Sequence, residues 1–502
     1  MKQAMRVLGG VACMLATLTQ AAGPLKLDTP MDAPLARAML ARWGYGATDA
    51  SVAALTGQTP RAMVQRGWRA PSGVAPAVRT ALDALADAPP LAERWAQYGP
   101  VRVQEARKAQ DIPLVQSMAR QGNAMKSATV QRRLLMMANS DNPAHEVLLA
   151  FWLNHFSVYL HKGQLPWLVD DYASRIEAAM ADDRFESLLR AAFYHTAMQG
   201  YLDNINSTAP DSELGRRGRT GLNENLAREL LELHTLGVGG GYQQTDVEAT
   251  ARLISGVSAP DLGTADALAD GGFALDPRRR GEGSVQVLGQ TYALADGRAA
   301  MDALLHRLAL HPATARHVSR KLAQRFVGDT PPAALVERMA QAYVQSGGRL
   351  SPALWVMLAS PAFADSLLKQ RMFRLPQDYV LATARAVCQD APITHAEPLL
   401  NMLQAMGQAP FLRLTPDGYP QNAGEWQTAL GMALRVQLAQ ALAQRQWRLT
   451  GPADAAQACN WDAAAAERSL GPWTAATRAA AEGLPPAQQA ILLLSSPATL
   501  WR

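Results

Sequence analysis

Residues that start and stop helices recur along nearly the whole chain. They restrict the possible fold classes more than any other feature of the sequence. A capping residue or early proline, a periodic apolar run and a closing glycine predict helices over 32–44 and 48–57, and a third from 59 onward. The same signals predict a helical series at 142–160, 183–198, 221–236, 246–255, 298–310, 313–327, 331–346 and 352–359, and an Ala-rich helical last third.

Strand signals are scarce. Residues 284–292 predict a small hairpin or an extended segment, inside a Gly/Asp/Pro-rich insert at 256–297. A second irregular insert covers 203–220, and no fixed-period repeat is present. The sequence therefore predicts an all-α fold in which residues 23–502 form a single large multi-helix body.

The composition is that of a large folded protein. Of the 502 residues, 48% are hydrophobic and 18% are charged, which provides a sizeable core and excludes a disordered chain. The formal net charge is only +5, and no Lys/Arg-rich block is present. Because nucleic-acid-binding proteins need a strong basic surface, we expect no nucleic-acid partner.

The first 22 residues have the pattern of an export signal peptide. Lys2 and Arg6 are followed by an apolar run at 7–18 and by small residues suited to cleavage. That run is shorter than the roughly 20 residues of a membrane-spanning helix, so no transmembrane segment is expected. Cys13 follows a poor lipoprotein motif, so no lipid anchor is expected either. We predict a periplasmic or extracellular protein.

Cysteine usage agrees with export. Only Cys388 and Cys459 remain after cleavage of the signal. They form either a disulfide, as in an oxidising compartment, or two buried free thiols. The absence of a Cys-x-x-Cys motif disfavours a zinc ribbon, an iron–sulfur cluster and a c-type haem.

The densest polar cluster is the predicted helix at 223–234. Helical periodicity gathers its polar side chains on one face, namely Glu224, Asn225, Arg228, Glu229 and Glu232. This face is either a solvated surface with an i,i+4 ion pair, or the wall of a cleft. In a cleft, Glu229 and Glu232 could bind a cation or divide acid and base roles, and Arg228 could orient an anionic or carbonyl group.

Two further clusters contain polar residues at unusual places. Trp152, Asn154 and His155 lie together in an aromatic helix, where the histidine is either a hydrogen-bonded core residue or a general base in a cleft lined by Trp152. Tyr201 and Asp203 lie where a helix ends, and the aspartate is either a cap or part of a site.

Ten stretches carry a family resemblance. They are Arg42-Trp43-Gly44-Tyr45-Gly46, Phe151-Trp152-Leu153-Asn154-His155-Phe156, Ala197-Met198-Gln199-Gly200-Tyr201-Leu202-Asp203-Asn204, 223–237, Gly241-Tyr242, Asp246-Val247, His311-Pro312-Ala313-Thr314-Ala315, Lys321-Leu322-Ala323-Gln324-Arg325-Phe326-Val327, Asp417-Gly418-Tyr419-Pro420 and Ser495-Ser496-Pro497. With them, nearly the whole mature chain resembles the bacterial family known as domain of unknown function 1800.

The resemblance implies export, an all-helical body and, often, a gene neighbour from a secreted alkaline-phosphatase-like family, but no settled activity. The sequence also departs from the family pattern. Leu153 stands where members often have His, Val257 stands where Trp is common, and 276–280 lacks a frequent His. The loss of two potential ligands weakens a shared His-rich metal site in this chain.

Three functions fit these features. The first is an enzyme acting on an extracellular or envelope polymer, with a glycan as the expected substrate. Its candidate catalytic residues are Glu229, Glu232, His155 and Asp203, and its candidate substrate-binding residues are Asn154, Trp152, Asn225, Arg228 and Tyr201. The second is a non-catalytic partner of another exported protein. The third is a metal-dependent enzyme with His155, Glu229 and Asp203 as ligands, although no metal is assigned.

Overall fold

The computed structural model describes residues 23–86, 89–218, 221–450 and 459–502. The predicted signal peptide, including Cys13, lies outside the described residues. Helix makes up 63% of the structure and strand 3%, which confirms the all-α prediction. Within the described ranges, no helix is both long enough and apolar enough to cross a membrane.

The first half of the chain is a series of helices, of which Ile112–Asn139 is the longest. The helices are α1 Ala33–Arg42, α2 Asp49–Leu55, α3 Pro60–Arg69, α4 Pro76–Ala86, α5 Leu91–Tyr98, α6 Pro100–Lys108, α7 Ile112–Asn139, α8 Pro143–His155, α9 Leu165–Met180, α10 Phe185–Tyr194, α11 Thr196–Tyr201, α12 Glu213–Arg216, α13 Asn225–Glu229 and α14 Gln244–Ile254.

The second half adds a further helical series that packs against the first. Its members are α15 Arg298–Ala309, α16 Pro312–Phe326, α17 Ala333–Gln345, α18 Leu350–Leu358, α19 Pro361–Leu368, α20 Pro376–Cys388, α21 Glu397–Ala405, α22 Ala429–Ala443, α23 Ala463–Leu470, α24 Ala475–Ala481 and α25 Pro486–Leu494. Short 3-10 turns and a π-helix at Leu230–Leu236 add to the helical content.

The capping residues start the first three helices as the sequence predicts. The Asp32 carboxylate accepts a hydrogen bond from Leu35 N at 2.9 Å and begins α1. Thr48 and Ser51 form a reciprocal capping box at α2, and Thr59 caps α3. Each cap satisfies a backbone N–H that lacks a partner within its own helix.

Three helix boundaries differ from those that the sequence predicts. The predicted helix at 183–198 is divided between α10 and α11, because His195 has an extended backbone and its Nδ1 accepts a hydrogen bond from Ala197 N. The helix predicted to reach 160 ends at His155. The helix predicted to begin at 246 begins at Gln244, so Asp246 lies in its first turn, where its carboxylate accepts a hydrogen bond from Gln243 N at 2.9 Å.

The described strands all lie in the insert at 256–297. The strand β1 Val257–Ser258 pairs antiparallel with β2 Ala274–Leu275, a pairing that the sequence did not predict. The strands β3 Ser284–Val287 and β4 Gln290–Ala293 form a hairpin, one of the two alternatives that the sequence left open for 284–292. Its two turn residues both have positive φ, 51° and 80°, as a tight hairpin turn requires.

A cluster of buried apolar side chains extends from Leu27 to Leu500. Next to this core, the Asp378 carboxylate of α20 accepts two hydrogen bonds of 2.9 Å from Arg325 and one of 2.9 Å from Arg502. Cys388 and Cys459 form a disulfide, which decides between the two alternatives that the sequence left open.

Candidate functional site

The polar helix of the predicted site changes its geometry midway. α13 continues directly as a π-helix, Leu230–Leu236, and ends at Gly237 with φ +83°. The Thr235 hydroxyl donates to the carbonyl of Leu230, five residues earlier, at 2.6 Å. A π-turn contains an extra residue, and such turns occur frequently at functional sites.

The π-turn also shifts which side chains are buried. Leu226 and Leu230 are buried, as an α-helical pattern predicts. Beyond them, Leu231 is buried and Leu233 is half-exposed, because the extra residue rotates the following face. The polar side chains all remain half-exposed, and they are Glu224, Asn225, Arg228, Glu229 and Glu232.

Two histidines from other helices cap the end of the π-helix. His155 Nε2 lies 3.1 Å from the carbonyl oxygen of His234, and His317 Nε2 lies 3.1 Å from that of Leu233. A ring nitrogen facing a carbonyl must carry the hydrogen, so both rings are Nε2–H tautomers. They satisfy carbonyls that the helix end leaves without intrahelical partners.

The histidine cluster at this helix end consists of His155, His234 and His317, and its rings are uncharged. Burial, with a further contribution from the nearby charge of Lys321, lowers the pKa of His234 to about 3 and that of His317 to about 4. The same causes lower the pKa of His155 well below its ordinary value. Burial also lowers the pKa of Lys321 to about 8, and the negative charge of Asp417 opposes that shift.

A surface groove of about 480 Å³ lies on the polar side of α13. Its walls come from the connection between α8 and α9, the end of α11, the start of α13 and the loop 411–419. The lining residues are Tyr159, His161, Lys162, Tyr201, Leu202, Asn225, Glu229, Leu414 and Pro416. Three predicted site residues, Tyr201, Asn225 and Glu229, are therefore brought together.

Glu229 is the free carboxyl group of the groove. No described residue donates a hydrogen bond to it, and burial together with the charges of Glu232 and Asp417 raises its pKa. The other two glutamates of the helix are engaged. Glu224 pairs with Arg228 at 3.1 Å, and Glu232 accepts the Tyr242 hydroxyl at 2.6 Å. Glu229 is thus the carboxyl most suited to hold and release a proton.

The pKa of Asp417 is shifted in the opposite direction to that of Glu229. Burial alone would raise its pKa, but hydrogen bonds from Arg413 at 2.7 Å and from Thr415 at 2.5 Å hold the pKa below its ordinary value. Its negative charge acts on both Glu229 and Tyr201 and raises the pKa of each. A carboxylate whose pKa is lowered therefore lies near a carboxyl group whose pKa is raised.

Asp203 is linked to the groove through a lysine. Lys162 Nζ donates to Asp203 Oδ2 at 2.7 Å and to the carbonyl of Tyr201 at 2.5 Å. Asp203 itself has a left-handed backbone, with φ +59°, at the turn after α11. The lysine fixes this turn and places its own charge in the groove wall.

Asn154 lies at a neighbouring cavity instead of the groove. Its amide accepts from Tyr419 N at 2.7 Å and donates to Tyr419 O at 3.0 Å, so it holds the loop 411–419 through the loop's backbone. The cavity encloses only about 60 Å³, and its carboxylate, Asp378, is held by two arginines. The groove offers far more room for a ligand than this cavity does, so the groove is the stronger candidate.

The remaining predicted residues lie outside the groove lining. Trp152 is fully buried among the rings of Phe151, Phe156 and Phe185. His155 is buried beside it as a helix cap, and Arg228 donates to Glu224 and to Gln244. Among the described residues, no three His, Cys, Asp or Glu side chains form a group that could hold a metal ion.

The sequence assigns no site role to several residues of this region. Lys162 has no neighbouring motif, and His317 and Lys321 are ordinary positions on an amphipathic helix. Asp417 had a signal, since an Asp-Gly dipeptide marks a turn. The φ of Gly418 is +75°, and an added Cβ there would lie 2.2 Å from the Asn154 carbonyl oxygen.

Comparison with known proteins gives one match. Residues 38–500 match the model of a family described as Protein of unknown function (DUF1800). No curated protein is similar enough to match this chain, and no solved structure is either. The family match covers the groove, the histidine cluster and the loop 411–419.

Proposed function

The chain belongs to the family of proteins of unknown function DUF1800, and we propose that it is an exported enzyme that cleaves an extracellular or envelope glycan by carboxylate acid–base chemistry. The observation that carries the proposal is the pair of carboxyl groups with opposite pKa shifts, Glu229 and Asp417. Environments that separate the pKa values of two nearby carboxyl groups are typical of acid–base sites.

Glu229 is the proposed acid and Asp417 the proposed base. Glu229 protonates the glycosidic oxygen while the bond from that oxygen to the anomeric carbon breaks. Asp417 stabilises the positive charge that develops on the sugar ring and accepts a proton from the water that replaces the leaving group. The proton taken up by Asp417 returns through solvent to Glu229, so the enzyme is regenerated.

The groove lining suits a sugar polymer. The rings of Tyr159 and His161 lie 5.4 Å apart and offer apolar faces to a sugar. The Asn225 side-chain amide is not engaged by any described residue and can bind a hydroxyl group at the groove. Leu414 also lines the groove and is 67% exposed, so it adds apolar contact area.

Export is part of the proposal. It rests on the pattern of the first 22 residues, and the Cys388–Cys459 disulfide supports it because structural disulfides persist mainly outside the cytoplasm. Expression in a secreting bacterium should yield a protein whose N-terminus begins near Gly23. Recovery from the cytoplasm with an intact N-terminus would contradict the export proposal.

The catalytic proposal is tested by assaying the purified protein on a panel of polysaccharides for new reducing ends or unsaturated products. On the substrate that is cleaved, Glu229→Gln and Asp417→Asn should each lower kcat/KM by roughly 10²–10⁴-fold. The matched control is Glu224→Gln, because this glutamate lies on the same helix but pairs with Arg228. Full activity in either site variant would overturn the assignment.

A pH profile separates the acid from the base. The raised pKa of Glu229 should set the alkaline limb of kcat/KM, and the lowered pKa of Asp417 should set the acidic limb. Glu229→Gln should abolish the alkaline limb, and its loss of rate should be much smaller on an aryl glycoside, whose leaving group needs no proton. An unchanged alkaline limb in Glu229→Gln would show that another group is the acid.

A further inference from the structure

One buried arginine differs from all the others in the described chain. Six arginines are buried, namely Arg42, Arg325, Arg374, Arg385, Arg435 and Arg502. Five of them donate hydrogen bonds to carbonyl or carboxylate oxygens. Arg385, on the last turn of α20, is only 9% exposed and has no hydrogen-bond or ion-pair partner among the described residues.

The charge of Arg385 is uncompensated at close range. Asp390 acts on it only through space, and burial lowers its pKa to about 10, so the group stays ionised at neutral pH. Removing an ionised group from water is unfavourable unless an opposite charge or hydrogen-bond acceptors replace the water. The guanidinium therefore favours the approach of an anion.

Arg385 lines a cavity of about 210 Å³ between α20 and the helices α1, α2, α3 and α8. The apolar part of its wall consists of Leu40, Ala54, Leu55, Met63, Pro143 and Ala144. These residues share no member with the groove that contains Glu229. The cavity is thus a separate feature of the molecule, and it does not depend on the proposed glycan activity.

The other polar groups of the cavity wall already have protein partners. Arg66 pairs with Asp141 at 3.2 Å, and the Asn142 amide donates to the carbonyls of Arg66 and Ala70. The Ser51 hydroxyl donates within its own helix cap. What remains for a ligand is one guanidinium, which matches a carboxylate through two parallel N–H donors, and an apolar wall.

We propose that this cavity binds a short aliphatic monocarboxylate, whose carboxylate pairs with Arg385 and whose chain lies against Leu40 and Leu55. A single positive charge matches a single negative one. A dianion such as sulfate would keep one charge unmatched among apolar side chains, close to the Asp141 carboxylate.

The test is isothermal titration calorimetry of the purified chain with acetate, butyrate, hexanoate and sulfate. Affinity should rise about fourfold for each added methylene group, because each buries apolar surface. Arg385→Gln should weaken butyrate binding at least about tenfold, as expected for loss of a charged hydrogen-bonded pair. The control Arg61→Gln, which removes an arginine of α3 that pairs with Asp28 outside the cavity lining, should leave the affinity within about twofold of wild type.

A second variant covers the case in which Arg385→Gln fails to fold. Ala54→Phe fills the cavity from an exposed position on α2 and keeps Arg385, so it should abolish butyrate binding in a folded protein. Three results would overturn the proposal. They are no saturable binding of any carboxylate, sulfate binding as tightly as butyrate, and wild-type affinity in Ala54→Phe.

Discussion

Gly418 shows how a single residue can fix the loop that carries Asp417. Its φ of +75° disfavours any side chain, and an added Cβ would meet the carbonyl oxygen of Asn154 at 2.2 Å. The close approach lets the Asn154 side chain hydrogen-bond both backbone groups of Tyr419. The position of Asp417 beside the groove therefore depends on the absence of a side chain at the next residue.

We expect Gly418→Ala to destabilise the protein by about 2–4 kcal/mol, since the cost of a left-handed alanine adds to that of a backbone clash. The control is Gly57→Ala. Gly57 also has a positive φ, +85°, but an added Cβ there meets no described atom within 4 Å. Its cost should be only about 1 kcal/mol. Urea denaturation measures both, and equal losses of stability would contradict the clash.

The chemistry at the residue scale was only partly visible in the sequence. Helical periodicity places Asn225 and Glu229 on one polar face, and Tyr201 lies at a predicted helix end; all three line one groove. Asp417 was not singled out as a site residue, because its relation to Glu229 requires the loop 411–419 to fold against α13. A contact between residues so far apart in the chain has no local signal.

At the scale of single elements, the π-helix Leu230–Leu236 depends on partners from two other helices. His155 of α8 and His317 of α16 donate to its terminal carbonyls and remain neutral when buried. In the unfolded chain, histidines bind protons below a pH of about 6.5, whereas these buried rings do not until the pH is far lower. Acid therefore favours the unfolded state.

Because acid lowers the stability through this neutral ring, we can predict how His317→Gln changes the dependence of stability on pH. The pKa of His317 is lowered to about 4, so its contribution to stability is complete above pH about 6.5 and is lost as the pH falls toward 4. The glutamine amide can still donate to Leu233 O but does not titrate. Between about pH 6 and 5, the free energy of unfolding should fall more steeply in wild type than in the variant. The two slopes should differ by about 1.4 kcal/mol per pH unit.

Urea unfolding at several pH values measures how the free energy of unfolding of wild type and of His317→Gln depends on pH. The same dependence in both proteins would show that the His317 ring is not held neutral. NMR titration of the His317 ring gives an independent reading. A ring that titrates near pH 6.5 in the folded protein would contradict the capping role, because a cap buried against a carbonyl must resist protonation in this range.

Helix starts could be predicted from the sequence, but irregular helix geometry could not. Asp32, Thr48 and Thr59 act on backbone N–H groups three residues away, so their signals are local. The break at His195 depends on a hydrogen bond between its ring and Asp171 of α9, at 2.9 Å. The π-turn likewise depends on histidines from distant helices, so neither feature has a pattern within its own segment.

At the scale of the whole molecule, two cross-links join distant parts of the chain. The disulfide joins residues separated by 71 positions, which in a chain-entropy account contributes up to about 4 kcal/mol. The second link is ionic. Asp378 of α20 binds Arg325 of α16 and Arg502, and Arg502 also donates to the carbonyl of Ala41 at the end of α1.

Among the described residues, Asp378 is the only carboxylate that pairs with Arg325 and Arg502. Replacing it with asparagine leaves Arg325 and Arg502 charged and without their ionic partner in the interior. Breaking a buried pair from one side costs about 3–5 kcal/mol, because the remaining charge stays uncompensated. We therefore expect Asp378→Asn to lower the free energy of unfolding by about that amount, measured by urea denaturation.

The control for Asp378→Asn is Asp49→Asn, which also breaks a link between distant helices. Asp49 of α2 pairs with Arg468 of α23, but its side chain is 49% exposed, so water can solvate the arginine that remains. Its loss should cost less than about 1 kcal/mol. Similar costs for the two variants would mean that water reaches Arg325 and Arg502. In that case the ionic link would not stabilise the fold more than a surface pair does.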